Sequence, residues 1–157
     1  MVYHRKVELP PGFAIADAEP AHLTVIACVC GTGAEELRAR FDEAAARVEE
    51  PGPGMLLAEL PDVVAAIELA LDAVSGGEDL RAGVHMGKVT AQDDALGGHA
   101  GRATSTLAER ADPGEALITG GVLVEMGDDG FERFVTGSMG AAELDGTSYA
   151  VYRISRR

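Results

Sequence analysis

The stretch Leu80 to Thr119, LRAGVHMGKVTAQDDALGGHAGRATSTLAERADPGEALIT, constrains the fold more than any other part of the chain. Leu80, Ala82, Val84 and Met86 alternate with Arg81, Gly83, His85 and Gly87, and Val89 extends the run. A period of two marks a strand. Thr90 to Asp94 reads as a polar loop. Gly97-Gly98 opens a helix carrying Ala100, Ala103, Leu107 and Ala111 on one side, which stops before the turn signal Asp112-Pro113-Gly114. Ala116-Leu117-Ile118 then reads as a short apolar strand.

The rest of the chain alternates in the same way. His22 to Cys30 (HLTVIACVC) is apolar nearly throughout, as suits a central strand covered on both faces. Cys28 and Cys30 are expected to stay unbridged, on the reading that they face opposite sides of that strand. Thr32 and Glu35 have capping-box spacing, so a helix is expected from there, with Leu37, Phe41, Ala44 or Ala45, and Val48 at helical spacing. Met55 to Leu60 is a strand. Asp62 caps a helix striped by Val63, Val64, Ile67, Leu71 and Val74, and Ser75-Gly76-Gly77 stops it. Residues 120–127 suggest a short helix, 131–136 and 148–154 two strands, and 137–146 a connecting loop. Val2, Val7 and Leu9 precede Pro10-Pro11-Gly12, which leaves residues 1–20 as an N-terminal arm and 21–157 as a single domain. The expected fold is α+β, a ferredoxin-like βαββαβ unit. Its sheet is mostly antiparallel, and helices 33–46, 62–75 and 98–110 pack on one face.

Composition bounds the function. Apolar residues make up 46% and aromatics 4%, with no Trp, so the core is built from Ala, Val, Leu and Ile. A net charge of −13 argues against nonspecific binding to nucleic acid or an anionic membrane. No apolar run reaches membrane-spanning length, no signal peptide is visible, and two thiols suggest a cytoplasmic setting.

Three blocks in order resemble the class III adenylate/guanylate cyclase catalytic domain. Arg81, Gly83, Val84, His85, Gly87 and Val89 fit its R-x-G-[IV]-H-x-G-x-V. Gly98, Thr104 and Leu107 fit G-x-x-V-N-x-A-x-R-L loosely. Pro113-Gly114-Glu115, Leu117, Ile118 and Thr119 fit P-G-E-x-L-[IV]-[ST]. The resemblance covers roughly residues 22 to 154. It implies a nucleotide cyclase-like fold, and it also locates the family's chemical positions. The first metal-binding Asp falls on Cys28 and the second on Pro53. The base-contacting Lys falls on Glu49 or Glu50. The base-selecting residue falls on Ala95, with Asp94 beside it. The ribose-orienting Asn falls on Arg102, and the transition-state Arg on Thr106. His85 occupies a strand position of structural use, and His99 reads as a surface residue.

A nucleotidyl cyclase holds two metal ions on carboxylates, and the ions supply several kcal/mol of charge stabilisation. With a thiol and a proline at those positions, the expectation is a pseudoenzyme with no catalytic residues, metal or cofactor. It would act as a signalling, regulatory or assembly module through a protein partner, binding neither nucleic acid nor membrane. The alternatives are one half of a heterodimeric cyclase, or a small-molecule or nucleotide sensor in which Arg102 grips an anion in the remnant cleft. In the family the segment after the first strand helps build a head-to-tail, wreath-like dimer. That segment is short here, so any homodimer is expected to be weak or differently arranged.

Overall fold

The computed structural model describes residues 22–89 and 94–157; the expected arm 1–20 and most of the polar loop 90–94 lie outside the described residues. Seven strands form one sheet: β1 (His22–Cys30), β2 (Arg47–Gly52), β3 (Met55–Leu60), β4 (Arg81–Val89), β5 (Ala116–Thr119), β6 (Phe134–Leu144) and β7 (Thr147–Arg156). Their spatial order is β2-β3-β1-β4-β5-β7-β6. Every neighbouring pair is antiparallel except β4 with β5. The helices are α1 (Arg38–Ala44), α2 (Val63–Ser75), α3 (His99–Arg110), α4 (Gly120–Glu125) and α5 (Gly127–Arg133). β1, α1, β2, β3, α2 and β4 make the expected ferredoxin-like unit, and β5, β7 and β6 widen its sheet.

β1 is covered on both sides, as its unbroken apolar run requires. Val25, Ala27 and Val29 join one core with Phe41 of α1, Val63, Ala66, Ile67 and Ala70 of α2, and Val122 of α4. Ile26, Cys28 and Cys30 face the other way, against Leu57 and the Ala100 and Ala108 side of α3. Ala103 and Leu107 of α3, with Ala111 just past its end, continue that second layer over Leu117, Leu144 and Val151. The expectation of three helices on one face therefore holds for the first two and fails for α3.

The reason is legible in β4. Its Ala82 and Val84 belong to the α2 side. Its alternate residues are Arg81, Gly83, His85, Gly87 and Val89, with a buried apolar side chain at the Val89 end and glycines at 83 and 87. A Cβ at Gly83 would lie 2.8 Å from the Ala108 nitrogen, and one at Gly87 would lie 2.5 Å from the Ala100 Cβ. At Gly83 and Gly87 the second face is thus bare, and α3 rests there directly on backbone. The crossovers β3-α2-β4 and β4-α3-β5 advance the same way across the sheet between parallel strands. Lying on opposite faces, they have opposite hands, against the strong preference for one.

Smaller corrections follow from local chemistry. Cys28 and Cys30 share a face, since one intervening residue restores the side in a strand, and both are free thiols. Thr32 does not form a capping box; its hydroxyl and its N–H both donate to Asp79 Oδ2, at 2.9 and 3.2 Å. The first helical segment accordingly opens as a short 3-10 turn, Ala34–Leu37, behind Gly33 at φ 86°. Asp62 does cap α2, accepting from the Ala65 N–H at 2.9 Å. Residues 131–133 are helical, in α5, and the segment expected as a loop over 137–146 is mostly the strand β6. It turns at Asp145-Gly146, both with positive φ, into β7. Asp-Gly is a strong hairpin signal.

Replacing Gly83 by Ala should force α3 away from β4 and lower unfolding free energy by about 1–3 kcal/mol. Gly137→Ala, with nothing within 4 Å of the new Cβ, should stay within about 0.5 kcal/mol. Urea denaturation of the two variants beside the parent checks both.

Candidate functional site

The two positions that the resemblance assigns to metal-binding carboxylates lie near the carboxyl end of β1 and do not share a cavity. Cys28 is fully buried within the layer under α3, paired across β1 with Leu57 and Gly83. Burial pushes its thiol well above the ordinary range, the nearby Cys30 adds to this, and a hydrogen bond with Ser105 only partly offsets it. A thiol held in that protonated state is a core residue. Pro53 sits in the β2–β3 turn. The neighbouring Gly54 carbonyl accepts from the Gly31 N–H at 2.9 Å, which fastens that turn to the end of β1. Gly31 has φ 128°, and a Cβ there would meet the Asp79 carbonyl at 2.2 Å, so this junction requires glycine.

Around that junction lies an open depression of about 470 Å³, lined by Cys30, Thr32, Pro53, Met55 and Asp79 among others. Its one carboxylate, Asp79, is committed to Thr32, and those hydrogen bonds hold its pKa below the usual carboxylate value. Hard divalent ions take several oxygen ligands, mostly carboxylates. The donor set here does not fit a two-metal centre. Among the described residues no group of three His, Cys, Asp or Glu is placed to hold a metal ion. Glu49 and Glu50 supply nothing to the depression: Glu49 pairs with Arg47 at 2.6 Å and Glu50 with Arg38 at 3.0 Å.

The remaining assigned positions cluster at the start of α3. Ala95 is buried under the helix. Arg102 is neither free nor simply solvated. Its Nε donates to Asp145 Oδ2 at 3.1 Å and its Nη1 to the Gly97 carbonyl at 3.0 Å. His99 Nδ1 lies 2.8 Å from the same carboxylate oxygen, and His99 Nε2 lies 2.9 Å from the Tyr149 hydroxyl. Asp145, at the hairpin turn, is held below its usual pKa by His99 first and Arg102 second. Thr106 points back along its own helix and donates to the Arg102 carbonyl at 3.0 Å. A cleft of about 310 Å³ opens beside this cluster, lined by Lys88, Asp94, Gly98, His99 and Arg102 among others, and Asp94 is paired with Arg47 at 3.2 Å.

Sequence reasoning missed Asp145 and Tyr149. The Asp-Gly pair was the available signal for the first, and its reading as loop concealed the hairpin that brings both residues over α3. Tyr149 also packs edge-on against His85, with ring centroids 4.8 Å apart. His85 is the structural histidine expected of it. It is buried, its Nδ1 lies 2.8 Å from Thr119 Oγ1, and its Nε2 has no partner among the described residues. Burial, with the nearby His99 adding to it, lowers its pKa to about 4.

No protein-family model matches the chain, and no curated protein matches it in sequence. Solved structures do. An adenylate/guanylate cyclase/hydrolase from Silicibacter pomeroyi aligns with TM-score 0.66 and 16% identity, covering 89% of this chain and 100% of that one. The guanylate cyclase domain of RhGC from Catenaria anguillulae, solved in complex with GTP, aligns at 0.65 and 18%, covering 86% and 97%. The adenylyl cyclase CyaB from P. aeruginosa aligns at 0.61 and 12%, covering 88% and 97%. The chain has the class III cyclase catalytic-domain fold over nearly its whole described length.

His85 gives this fold a pH signature. The unfolded side chain takes up a proton near pH 6.5, the folded one only near pH 4, so its contribution to stability is complete above the first value and lost as pH falls toward the second. Urea midpoints should drop over that window, by up to about 3 kcal/mol in free energy. His85→Gln should flatten this part of the pH profile, whatever its effect at neutral pH.

Proposed function

We propose that this domain is a noncatalytic member of the cyclase fold that acts as a regulatory or assembly module through contact with another protein. One observation carries the reading: the position of the first metal carboxylate is occupied by a thiol sealed beneath α3, and that of the second by a proline in a turn. A nucleotidyl transfer has little covalent chemistry for side chains to perform and depends on metal ions to neutralise the triphosphate. The chain carries a net charge of −13, and among the described residues no replacement carboxylate set stands at that end of the sheet. The transition-state position, Thr106, bonds only to its own helix. Removing one electrostatic stabiliser commonly costs about a hundredfold to a thousandfold in rate.

The structural neighbours are named as cyclases, and one was solved with GTP. This chain shares their fold, and it has Cys28 and Pro53 at the positions that the resemblance assigns to metal-binding carboxylates. A sensor function in which Arg102 grips an anion is less well supported than the notion of a module. Its guanidinium is already held by Asp145 and the Gly97 carbonyl, and an incoming phosphate would displace a formed ion pair. No helix among the described residues is long and apolar enough to cross a membrane. We place the domain in the cytoplasm on its two free, buried thiols.

Titration calorimetry with a non-hydrolysable ATP or GTP analogue should show no manganese-dependent binding, and cyclic nucleotide formation should remain at background. Saturable manganese-dependent binding that disappears in Cys28→Ala would overturn the noncatalytic reading.

A further inference from the structure

The start of β1 is covered less completely than the rest of the strand. Val25 pairs with Leu60, the last residue of β3, so Leu23 and Thr24 have only β4 beside them among the described residues. Leu23 lies two residues before Val25, on the α2 side of the strand, and is 56% exposed. It forms one wall of a groove of about 300 Å³, on the opposite face of the sheet from α3. Val25 and Met86 line that groove from the sheet, and Val63 and Val64 line it from the first turn of α2. The charged residues along it are Asp62 and Glu125, and among the described residues no cation lines it.

We infer that this groove is the docking site of the chain's own residues 1–21, with Phe13 and Ile15 set against Leu23 and Met86. Connectivity brings the segment there, because it joins the sheet at His22, next to the wall that Leu23 forms. Six residues, 16–21, separate Ile15 from His22, and a chain of that length reaches roughly 20 Å, enough to turn back across Leu23. Phe13 and Ile15 are the large apolar residues nearest to His22 in that segment. Charge favours the same occupant. A groove edged by two carboxylates repels a second copy of a chain whose net charge is −13. The segment itself carries His4, Arg5 and Lys6 with no acidic residue before Glu8. With Phe13 docked, Arg5 and Lys6 are within reach of Asp62 and Glu125. A tethered segment also meets its site at an effective concentration of about millimolar, so two apolar side chains hold it where a free peptide of the same sequence would not stay. The contact stands independently of whether the domain turns over nucleotide.

The test uses the full chain and the reactivity of a thiol placed in the groove. Val64→Cys is treated with a soluble maleimide, and modification is followed at that residue by peptide mass spectrometry. The reaction should be slow with the native segment, and Phe13→Ser with Ile15→Ser should speed it about tenfold or more. Phe13→Leu with Ile15→Val should keep most of the protection. Arg5→Glu with Lys6→Glu should weaken it less than the serine pair does. Val135→Cys, at a residue 45% exposed on β6, should react at the same rate with either segment. Glu125→Cys gives a second probe at the rim, and circular dichroism checks that each variant is folded. Reaction at both groove probes that is as fast with the native segment as with the serine pair overturns the inference. So does an acceleration that appears equally at Val135→Cys, which reports general loosening. Protection that rises with protein concentration also overturns it, since the occupant is then a second copy.

Discussion

The contact between α3 and the bare face of β4 is the constraint on which the rest of this molecule depends. Gly83 and Gly87 present backbone to the helix, and Ala100, Ala103 and Ala108 keep the helix thin enough to reach it. Close approach of this kind gains dispersion energy over many atom pairs, and it leaves no space for a single added methyl group. Gly101 meets a separate limit, since a Cβ there would meet the carbonyl of Leu96, in the segment leading into α3, at 1.9 Å. Once α3 is seated, β5 can lie parallel to β4, and β7 and β6 extend the sheet. A crossover of the disfavoured hand persists because the face it uses is the one that glycine has cleared.

The same seating decides what the chemical positions can do. Cys28 lies directly beneath α3, so its side chain is part of the packing that holds the helix down. A carboxylate at that depth would require metal ions or hydrogen bonds to offset its desolvation. A thiol needs neither, and its raised pKa keeps it neutral. A thiol at this depth therefore serves the layer as core. Pro53 behaves alike on the neighbouring turn: it stiffens the connection between β2 and β3, which is held to β1 by the bond from Gly31 to Gly54.

Much of the fold was readable from the sequence because the α2 side of the sheet obeys simple periodicities. Val25, Ala27 and Val29 alternate in β1, and Val63, Ile67 and Val74 recur at helical spacing in α2. The α3 side was not readable in the same way. Its face of β4 is Gly-His-Gly, which looks like the solvent side of a half-buried strand, although His85 is buried. Hydropathy does not distinguish a face left bare for water from one left bare for a helix. The hairpin of β6 and β7 was concealed for a related reason. Gly137, Gly140, Ala141 and Ala142 carry little strand propensity, and the ladder with β7 holds them extended despite it. The site positions were assigned by motif spacing alone. Their surroundings could not, since burial of Cys28 and capture of Arg102 both arise from elements distant in sequence.

Arg102 shows how such a capture changes the meaning of a residue. Read locally, an arginine at the start of a helix is either solvated or available to an anion. In the folded chain the hairpin between β6 and β7 brings Asp145 to it, and His99 and Tyr149 complete a chain of contacts that reaches the buried ring of His85. The arginine, being exposed, contributes little energy through this ion pair. Its consequence is geometric: it lines the α3 cleft with a cation already matched to a carboxylate, and ties the tip of the β6–β7 hairpin to the helix start. The hairpin is thus held to α3 at its turn, and the helix that seats on the glycines of β4 also fixes where that turn lies.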